Sequence, residues 1–299
     1  MRAPTLFTGL CRLQRARVLT GLAALSSPST FLDADKFAAA KAAATSQKFP
    51  HQLPIEDFLE RGGLLGDAEI MDTPIIDVRA PCEYAKGHIP GAVNVPLFDD
   101  DERAEVGTLY KRNGHDSAVR RGLQIIERKG WDTLLDAAPA LREGDDVLVY
   151  CFRGGMRSGG MAWLLSQAPL RVHTLQGGYK RFRNWAIDSW SLDRPLVVVG
   201  GPTGSGKTDV LHALSQDLKQ QVIDLEGEAN HRGSIFGALG RAPQPTNEHY
   251  ENLLALHWRR FSQSSPVFVE DESHAVGKCG VPPGLWARMR EEQAMVLRL

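Results

Sequence analysis

VLVYCFRGGMRSGGMAWLL, residues 147–165, is the stretch that decides the fold of the first half of the chain. Its apolar start, Val147 to Tyr150, predicts a short buried strand. The residues after Arg157 are small or apolar and predict a helix. Cys151 and a glycine-containing loop lie between the two. The stretch therefore predicts a strand, a loop and a helix, with a cysteine at the bend.

Cys151 is the candidate nucleophile of this loop. Successive backbone N–H groups and a helix N-terminus aimed at the sulfur favour negative charge, so we expect a thiolate. Two arginines would add positive charge around it. The alternative is a buried structural cysteine, a common fate of unpaired Cys. The candidate active-site loop comprises Cys151, Arg153, Gly154, Gly155, Arg157 and Ser158.

Length and composition bound what the chain can be. With 299 residues it can hold two domains with full-sized cores. Its 35 basic and 36 acidic residues give a formal net charge of -1, so nucleic-acid binding would have to come from local patches. No apolar run approaches the ~20 residues of a membrane span, and we expect a soluble protein. The four cysteines are far apart, which argues against a zinc site or disulfide framework and favours a reducing compartment.

Residues 1–47 are predicted to be an N-terminal extension. Residues 1–32 contain four arginines with Ser and Thr, and no acidic residue precedes Asp33. This bias is typical of an organellar transit segment, and an unstructured extension is the alternative. We expect a cytoplasmic protein, or a mitochondrial or plastid one if residues 1–32 are a transit segment.

The fold class predicted for residues 48–190 is α/β with a parallel sheet. Short apolar strands at 75–79 and 92–95 alternate with helical segments through Leu175. In parallel sheets the functional crevice lies beyond the carboxyl ends of the strands. Asp77, Arg79 and Cys151 should therefore meet at one edge.

The order of motifs in this region resembles a rhodanese domain. The resemblance implies that Cys151 carries a persulfide or perselenide, and that Asp77 and Arg79 orient the active-site edge. Five residues separate Cys151 from Arg157, one more than in most sulfur-transferring rhodaneses and the same as in cysteine phosphatases. The loop could therefore receive a phosphate-bearing or larger chalcogen donor. The motifs are DVR at 77–79, EY at 83–84, GHIPGAVNVP at 87–96, the Cys151 loop and GGY at 177–179.

Two basic patches are candidate tRNA contacts. The first, LYKRNGHDSAVRR at 109–121, contributes Lys111 and Arg112. The second, GGYKRFRNW at 177–185, interleaves basic and aromatic side chains, which suits RNA. The alternative is an amphipathic helix with its aromatics in the core and its basic residues solvated. The second patch contains Lys180, Arg181 and Arg183 with Tyr179, Phe182 and Trp185.

A P-loop opens the second predicted domain, residues 191–299, which we expect to be a P-loop NTPase-like α/β domain. An apolar strand at 195–199 leads into GGPTGSGKT at 200–208 and then a helix through about Lys219. Backbone N–H groups would ring a phosphate, Lys207 would reach its outer oxygens and Thr208 could bind Mg²⁺. A glycine-rich turn without a ligand is the alternative. The candidate diphosphate-binding residues are Gly201, Gly204, Ser205, Gly206, Lys207 and Thr208.

Further polar residues of this domain are candidates for ligand binding. Val267 to Glu272 predicts a strand that ends in three acids, of which Asp271 or Glu270 is a candidate for Mg²⁺ or phosphate binding. A solvated acidic strand end is the alternative. His231 and Arg232 are candidate phosphate or tRNA contacts, or part of a structured turn.

Taken together, the motifs resemble the tRNA 2-selenouridine synthase family from about His51 to the last residue. CFRGGMRS in a rhodanese-like domain is followed by GGPTGSGKT, DLEGEANHRGSIFG and VEDES. The resemblance implies that a tRNA bearing wobble 2-thiouridine is geranylated from geranyl diphosphate held by the P-loop. The geranylated sulfur is then exchanged for selenium from selenophosphate through Cys151. It also implies a selenophosphate-producing partner enzyme. We expect no tightly bound cofactor, with Mg²⁺ as the candidate metal.

The chain departs from this family pattern at both ends. The N-terminal extension has no counterpart, and family members continue beyond Leu299, so we expect a second domain that is incomplete at its C-terminal end. Two alternative functions stay open at this point. One is a rhodanese-type cysteine phosphatase fused to a P-loop kinase-like domain, which the loop spacing favours. The other is a non-catalytic RNA-binding protein.

Overall fold

The computed structural model describes residues 51–66, 73–130, 141–166, 168–202, 204–232, 237–291 and 295–298. The predicted extension at 1–47 lies outside these residues. The chain forms two compact units, one ending at Phe182 and the other beginning at Arg183. The boundary predicted from the sequence lies slightly later, between residues 190 and 191.

The first unit is built on a parallel sheet, as predicted. Its strands lie in the order β1-β5-β4-β2-β3, with every pairing parallel. They are β1 (Gln52–Leu53), β2 (Ile75–Asp77), β3 (Val93–Asn94), β4 (Asp146–Tyr150) and β5 (Arg171–Leu175). The helices are α1 (Ile55–Arg61), α2 (Pro81–Lys86), α3 (Asp100–Asn113), α4 (His115–Lys129), α5 (Met156–Leu165) and α6 (Gly178–Asp188), and α6 contains the boundary between the two units.

Strand β4 is the centre of this unit. Val147, Leu148, Val149 and Tyr150 are fully buried, a continuous apolar run of the kind found in parallel sheets covered on both faces. Burying each large apolar side chain contributes roughly 1.5–3 kcal/mol. The register pairs Asp77 of β2 with Tyr150 of β4. Asp77, Arg79 and Cys151 therefore lie at the same end of the sheet, as the sequence predicted.

The second unit contains a four-stranded parallel sheet. Its order is β11-β6-β8-β7. The strands are β6 (Leu196–Gly200), β7 (Gln221–Ile223), β8 (Val267–Glu270) and β11 (Met295–Arg298), with a separate antiparallel pair of β9 (Ala275–Val276) and β10 (Cys279–Gly280). The helices are α7 (Lys207–Gln216), α8 (Leu225–Glu228), α9 (Asn247–Arg260) and α10 (Pro283–Met289).

Two predicted boundaries in this unit change. Helix α7 ends at Gln216 and does not reach Lys219, whose φ of 52° is incompatible with a right-handed helix. Strand β8 ends at Glu270, so Asp271 and Glu272 lie beyond it. Among the residues that the structure describes, no helix combines the length and hydropathy needed to cross a bilayer.

Candidate functional site

Cys151 lies directly after β4 and is almost fully buried. The Oγ of Ser158 donates a hydrogen bond to its Sγ over 3.2 Å. Ser158 is itself buried in the first turn of α5, and its Oγ also lies 3.1 Å from the carbonyl oxygen of Gly155. The single hydrogen of this hydroxyl can be donated to the sulfur or to the Gly155 carbonyl, and when donated to the sulfur it stabilises negative charge there.

The loop between Cys151 and α5 contains backbone N–H groups that have no acceptor among the described residues. Within the described part of the chain, the N–H groups of residues 153–156 donate no hydrogen bond. Residues 153–155 precede α5 and Met156 is its first residue, and the first N–H groups of a helix have no partner inside it. Such a run of unengaged amides before a helix suits an incoming anion.

The cysteine loop is fastened to the turn that begins α6. The N–H of Tyr179 donates to the carbonyl of Cys151 over 2.8 Å, and the N–H of Lys180 donates to Phe152 over 2.9 Å. Gly178 has a φ of 59°, and a Cβ there would overlap the carbonyl oxygen of Cys151 and the nitrogen of Gly154. Two backbone segments therefore approach more closely than any side chain permits.

Asp77 and Arg79 form a buried ion pair below this turn. The Nη2 of Arg79 donates to Oδ2 of Asp77 over 2.6 Å and to the carbonyl of Gly87 over 2.7 Å. Burial opposes the charge of Arg79, but its hydrogen bond to Asp77 and their mutual attraction leave its pKa raised. Its guanidinium carbon lies 3.7 Å from the ring centroid of Tyr179. Arg79 thus supports the residue whose amide holds Cys151, a geometry that suits the orienting role.

Arg157 has a carboxylate partner that the sequence analysis did not assign to it. Its Nη1 donates to Oε2 of Glu83 over 2.9 Å, and Nε of Arg103 lies 3.7 Å from the same oxygen. Burial opposes ionisation of Glu83, yet the attraction and hydrogen bond of Arg157 leave the pKa of Glu83 lowered. An anion in the loop must therefore compete with Glu83 for this arginine. Glu83 had been noted only as part of the EY motif.

The P-loop connects β6 to α7 as predicted. Gly204 and Gly206 take left-handed backbone angles, with φ of 84° and 88°. The Nζ of Lys207 donates to the carbonyl of Gly201 over 2.9 Å. The Oγ of Ser205 is shielded from solvent and, within the described residues, has no hydrogen-bond partner. A hydroxyl without a partner and a lysine bound to its own loop both suit a phosphate ligand.

The acids at the end of β8 and directly after it are mostly engaged. Glu270 is almost fully buried, and its Oε1 accepts a hydrogen bond from the N–H of Glu226 over 2.7 Å. Burial and the nearby carboxylates raise the pKa of Glu270 to about 8 and that of Glu226 to about 7. Asp271 lies 2.7 Å from Nη1 of Arg290. Across the described ranges, no three His, Cys, Asp or Glu side chains are arranged to hold a metal.

The aromatic residues of α6 lie in the core. Tyr179, Phe182 and Trp185 are each at most 2% exposed, so they offer no stacking surface. The amphipathic-helix alternative describes this segment correctly. Lys180 and Arg181 are exposed beside them.

The remaining candidate tRNA contacts differ in exposure. Lys111, Arg112 and Arg232 are exposed. Arg183 is half-buried, and its Nη2 donates to Glu251 over 2.7 Å. His231 is 8% exposed and packs against the backbone positions of Gly237 and Gly277. Burial and ion pairing do not favour tRNA contact by His231 or Arg183.

Fold and site together define a rhodanese-like domain with a cysteine loop, followed by a P-loop domain. Comparison with known protein families supports the assignment of both domains. Residues 63–184 match the rhodanese-like domain, and residues 194–299 match the tRNA 2-selenouridine synthase AAA domain. The second half of the chain is thus similar to a domain of the tRNA 2-selenouridine synthases, and the first half to rhodaneses.

Bacterial proteins named tRNA 2-selenouridine synthase are similar to this chain over most of its length. The protein of Nitrosomonas europaea is 40% identical over 231 residues, covering 75% of this chain and 59% of the relative. That of Pseudomonas putida strain F1 is 41% identical, with 73% and 60% covered. That of Bdellovibrio bacteriovorus is 42% identical, with 73% and 58% covered. The chain thus spans less than two thirds of the length of these relatives.

Proposed function

We propose that this chain acts as a tRNA-modifying transferase that converts wobble 2-thiouridine to 2-selenouridine through S-geranyl-2-thiouridine. The donors are geranyl diphosphate and selenophosphate. The observation that carries the proposal is the Cys151 loop, with its Ser158 donor and unengaged amides, in a chain that also has a complete P-loop. The name shared by the bacterial relatives supports tRNA as the substrate.

The P-loop serves the first step in this proposal. The thiouridine sulfur attacks the first carbon of the geranyl group, the carbon–oxygen bond breaks and diphosphate leaves. Lys207 exchanges its contact with Gly201 for a diphosphate oxygen, and Ser205 donates its unpartnered hydroxyl. Mg²⁺ remains a proposal. Thr208 and the diphosphate oxygens would hold it, since Glu270 already accepts a hydrogen bond from the N–H of Glu226 and Asp271 pairs with Arg290.

The cysteine loop serves the second step. Selenophosphate, water and the S-geranyl nucleoside give 2-selenouridine, geranylthiol and phosphate, and selenium keeps the oxidation level of selenide throughout. Alkylation helps because the sulfur then leaves as a thiol. The loop amides bind the phosphate of the donor, and the Cys151 thiolate attacks its phosphorus, so that an S–P bond forms, the Se–P bond breaks and hydrogen selenide is released. The selenide displaces geranylthiol from the nucleoside, and water hydrolyses the phosphocysteine to phosphate and the free thiol.

Nucleoside mass spectrometry tests both steps. Thiolated tRNA is incubated with geranyl diphosphate and selenophosphate, separately and then together. We expect Cys151→Ala to accumulate the geranylated nucleoside without selenation, and Lys207→Ala to geranylate poorly. Formation of 2-selenouridine by Cys151→Ala would remove Cys151 from the mechanism. Intact-protein mass spectrometry after exposure to selenophosphate shows whether a phosphoryl group becomes attached to Cys151.

A second candidate is a cysteine phosphatase, because five residues separate Cys151 from Arg157. The carboxylate of Glu83 is bound to Arg157, the arginine of the loop. It is therefore poorly placed to act as a general acid. Hydrolysis of an aryl phosphate by the full chain, lost in Cys151→Ser, would favour this reading over selenium transfer.

A further inference from the structure

The turn between α3 and α4 reaches the cysteine loop. Gly114, with a φ of 82°, turns the chain between the two helices. The next residue, His115, places its Nε2 at 3.1 Å from the Sδ of Met156. Met156 directly precedes Arg157 and is the first residue of α5. The tip of this helical hairpin therefore adjoins the loop that carries Cys151.

Large apolar side chains are exposed where the two segments meet. Tyr110 is 58% exposed, Met156 40% and Phe152 36%. The rings of Tyr110 and His115 lie 6.3 Å apart in an edge-to-face arrangement. The three aromatics of the GGYKRFRNW segment are by contrast buried. The aromatic surface beside the nucleophile is thus formed by the hairpin tip and the cysteine loop.

Four exposed cations around this surface have no carboxylate partner among the residues that the structure describes, whereas Arg157, next to Met156, pairs with Glu83. Further along α4, Arg121 pairs with Glu105 over 2.6 Å and Arg128 with Glu102 over 3.1 Å. Nearer the tip, no ion pair involves a basic residue other than His115 within the part of the chain that the structure describes. The exposed cations concerned are Lys111, Arg112, Arg120 and Arg153.

We propose that this surface, the hairpin patch, binds the unpaired loop of an RNA and stacks a base on Tyr110. Its members are Tyr110, Lys111, Arg112, His115, Phe152 and Met156. Exposed rings accept splayed bases and unpaired cations neutralise phosphates, which is the combination single-stranded RNA requires. An apolar protein partner would have no use for so many unpaired cations. The inference rests on the proposed function for its substrate, and it moves the stacking surface from α6 to the hairpin.

Binding of a fluorescent anticodon stem–loop RNA to the full chain tests the stacking. The RNA carries 2-aminopurine in its loop, whose fluorescence is quenched when the base stacks. We expect Tyr110→Ala to weaken binding about 5- to 150-fold and to remove the quenching. Tyr110→Phe keeps the aromatic ring and should keep both the affinity and the quenching. Because Tyr110 is exposed, neither change should affect folding.

Salt dependence tests the electrostatic part. Lys111→Gln and Arg112→Gln should each reduce the slope of log affinity against log salt by about one. Arg128→Gln, in an ion pair at the far end of α4, is the matched control and should leave the slope nearly unchanged.

Two results would overturn the hairpin patch: unchanged binding by Tyr110→Ala, or equal affinity for a fully paired duplex. The assay needs no catalysis, so it is separable from the proposed function. If tRNA is selenated normally while Tyr110→Ala binds normally, only the patch is wrong. If Tyr110-dependent binding occurs without modification of thiolated tRNA, the patch stands and the proposed function fails.

Discussion

The cysteine loop and the P-loop are built alike but held differently. Each follows a buried parallel strand and precedes a helix. The cysteine loop is fixed from outside, by the amides of Tyr179 and Lys180 and by Arg79 beneath them. The P-loop is held by contacts within itself, such as that from Lys207 to Gly201. A nucleophile needs fixed geometry, whereas a loop for an exchangeable phosphate can be completed by its ligand.

The largest effect should come from removing the support of the cysteine loop. Arg79→Met leaves Asp77 charged, buried and unpaired, which costs about 3–5 kcal/mol of unfolding free energy. Hydrogen exchange of β2 and β4 in the full chain measures this loss. Arg121→Gln breaks an exposed ion pair and is the control, with protection expected to stay at the wild-type level. Equal protection in both variants would show that the buried pair does not hold the loop.

Glycine substitutions compare the two loops more finely. Gly178→Ala adds a Cβ where φ is 59° and backbone atoms of Cys151 and Gly154 already lie, so we expect a loss of about 2–4 kcal/mol. Gly204→Ala in the P-loop meets nothing within 4 Å and should cost only the backbone strain, about 1 kcal/mol. Gly160→Ala, in α5 with open space around it, should stabilise by about 0.5–1 kcal/mol. Urea unfolding of each full-length variant ranks the three free energies of unfolding. A reversed order would contradict the claim that the cysteine loop is held more tightly than the P-loop.

The sequence predicted what depends on local pattern. Apolar runs and glycine punctuation place both loops between a strand and a helix, because these signals act within about ten residues. Contacts between residues that are far apart in the sequence leave no such local signal. Glu83 and Arg157 are 74 residues apart, and nothing in either segment indicates their ion pair. Likewise the alternation of basic and aromatic residues after Gly177 fits an RNA surface and a buried helix face equally well, and only packing decides between them.

The buried acid of the P-loop unit should make stability depend on pH. The pKa of Glu270 is raised to about 8, so the folded state keeps a proton that the unfolded state releases near its ordinary pKa. Stability from this group is fully present below about pH 4.5 and is lost as pH rises to about 8, by a few kcal/mol at most.

Urea unfolding at several pH values from about 5 to about 8.5 measures this slope. Glu270→Gln keeps an acceptor for the N–H of Glu226 and should make the decline shallower, leaving the part due to Glu226, whose pKa is also raised, to about 7. Asp217→Asn, at an exposed position of the same unit, is the control and should keep the wild-type slope. A wild-type profile with no decline would contradict the protonation of Glu270.

The smallest effect on stability should come from Lys207, although its effect on binding is large. Its amine contacts only carbonyls of its own loop among the described residues, so Lys207→Ala should change the unfolding free energy by less than about 0.5 kcal/mol. Loss of a charged hydrogen bond should nevertheless weaken binding of inorganic diphosphate about 10- to 150-fold. Calorimetric titration measures the affinity, and Lys207→Arg, which keeps the charge, should lose less. If Lys207→Ala unfolds as readily as Arg79→Met, the P-loop is held as rigidly as the cysteine loop, and the distinction between a fixed nucleophile loop and a ligand-completed phosphate loop fails.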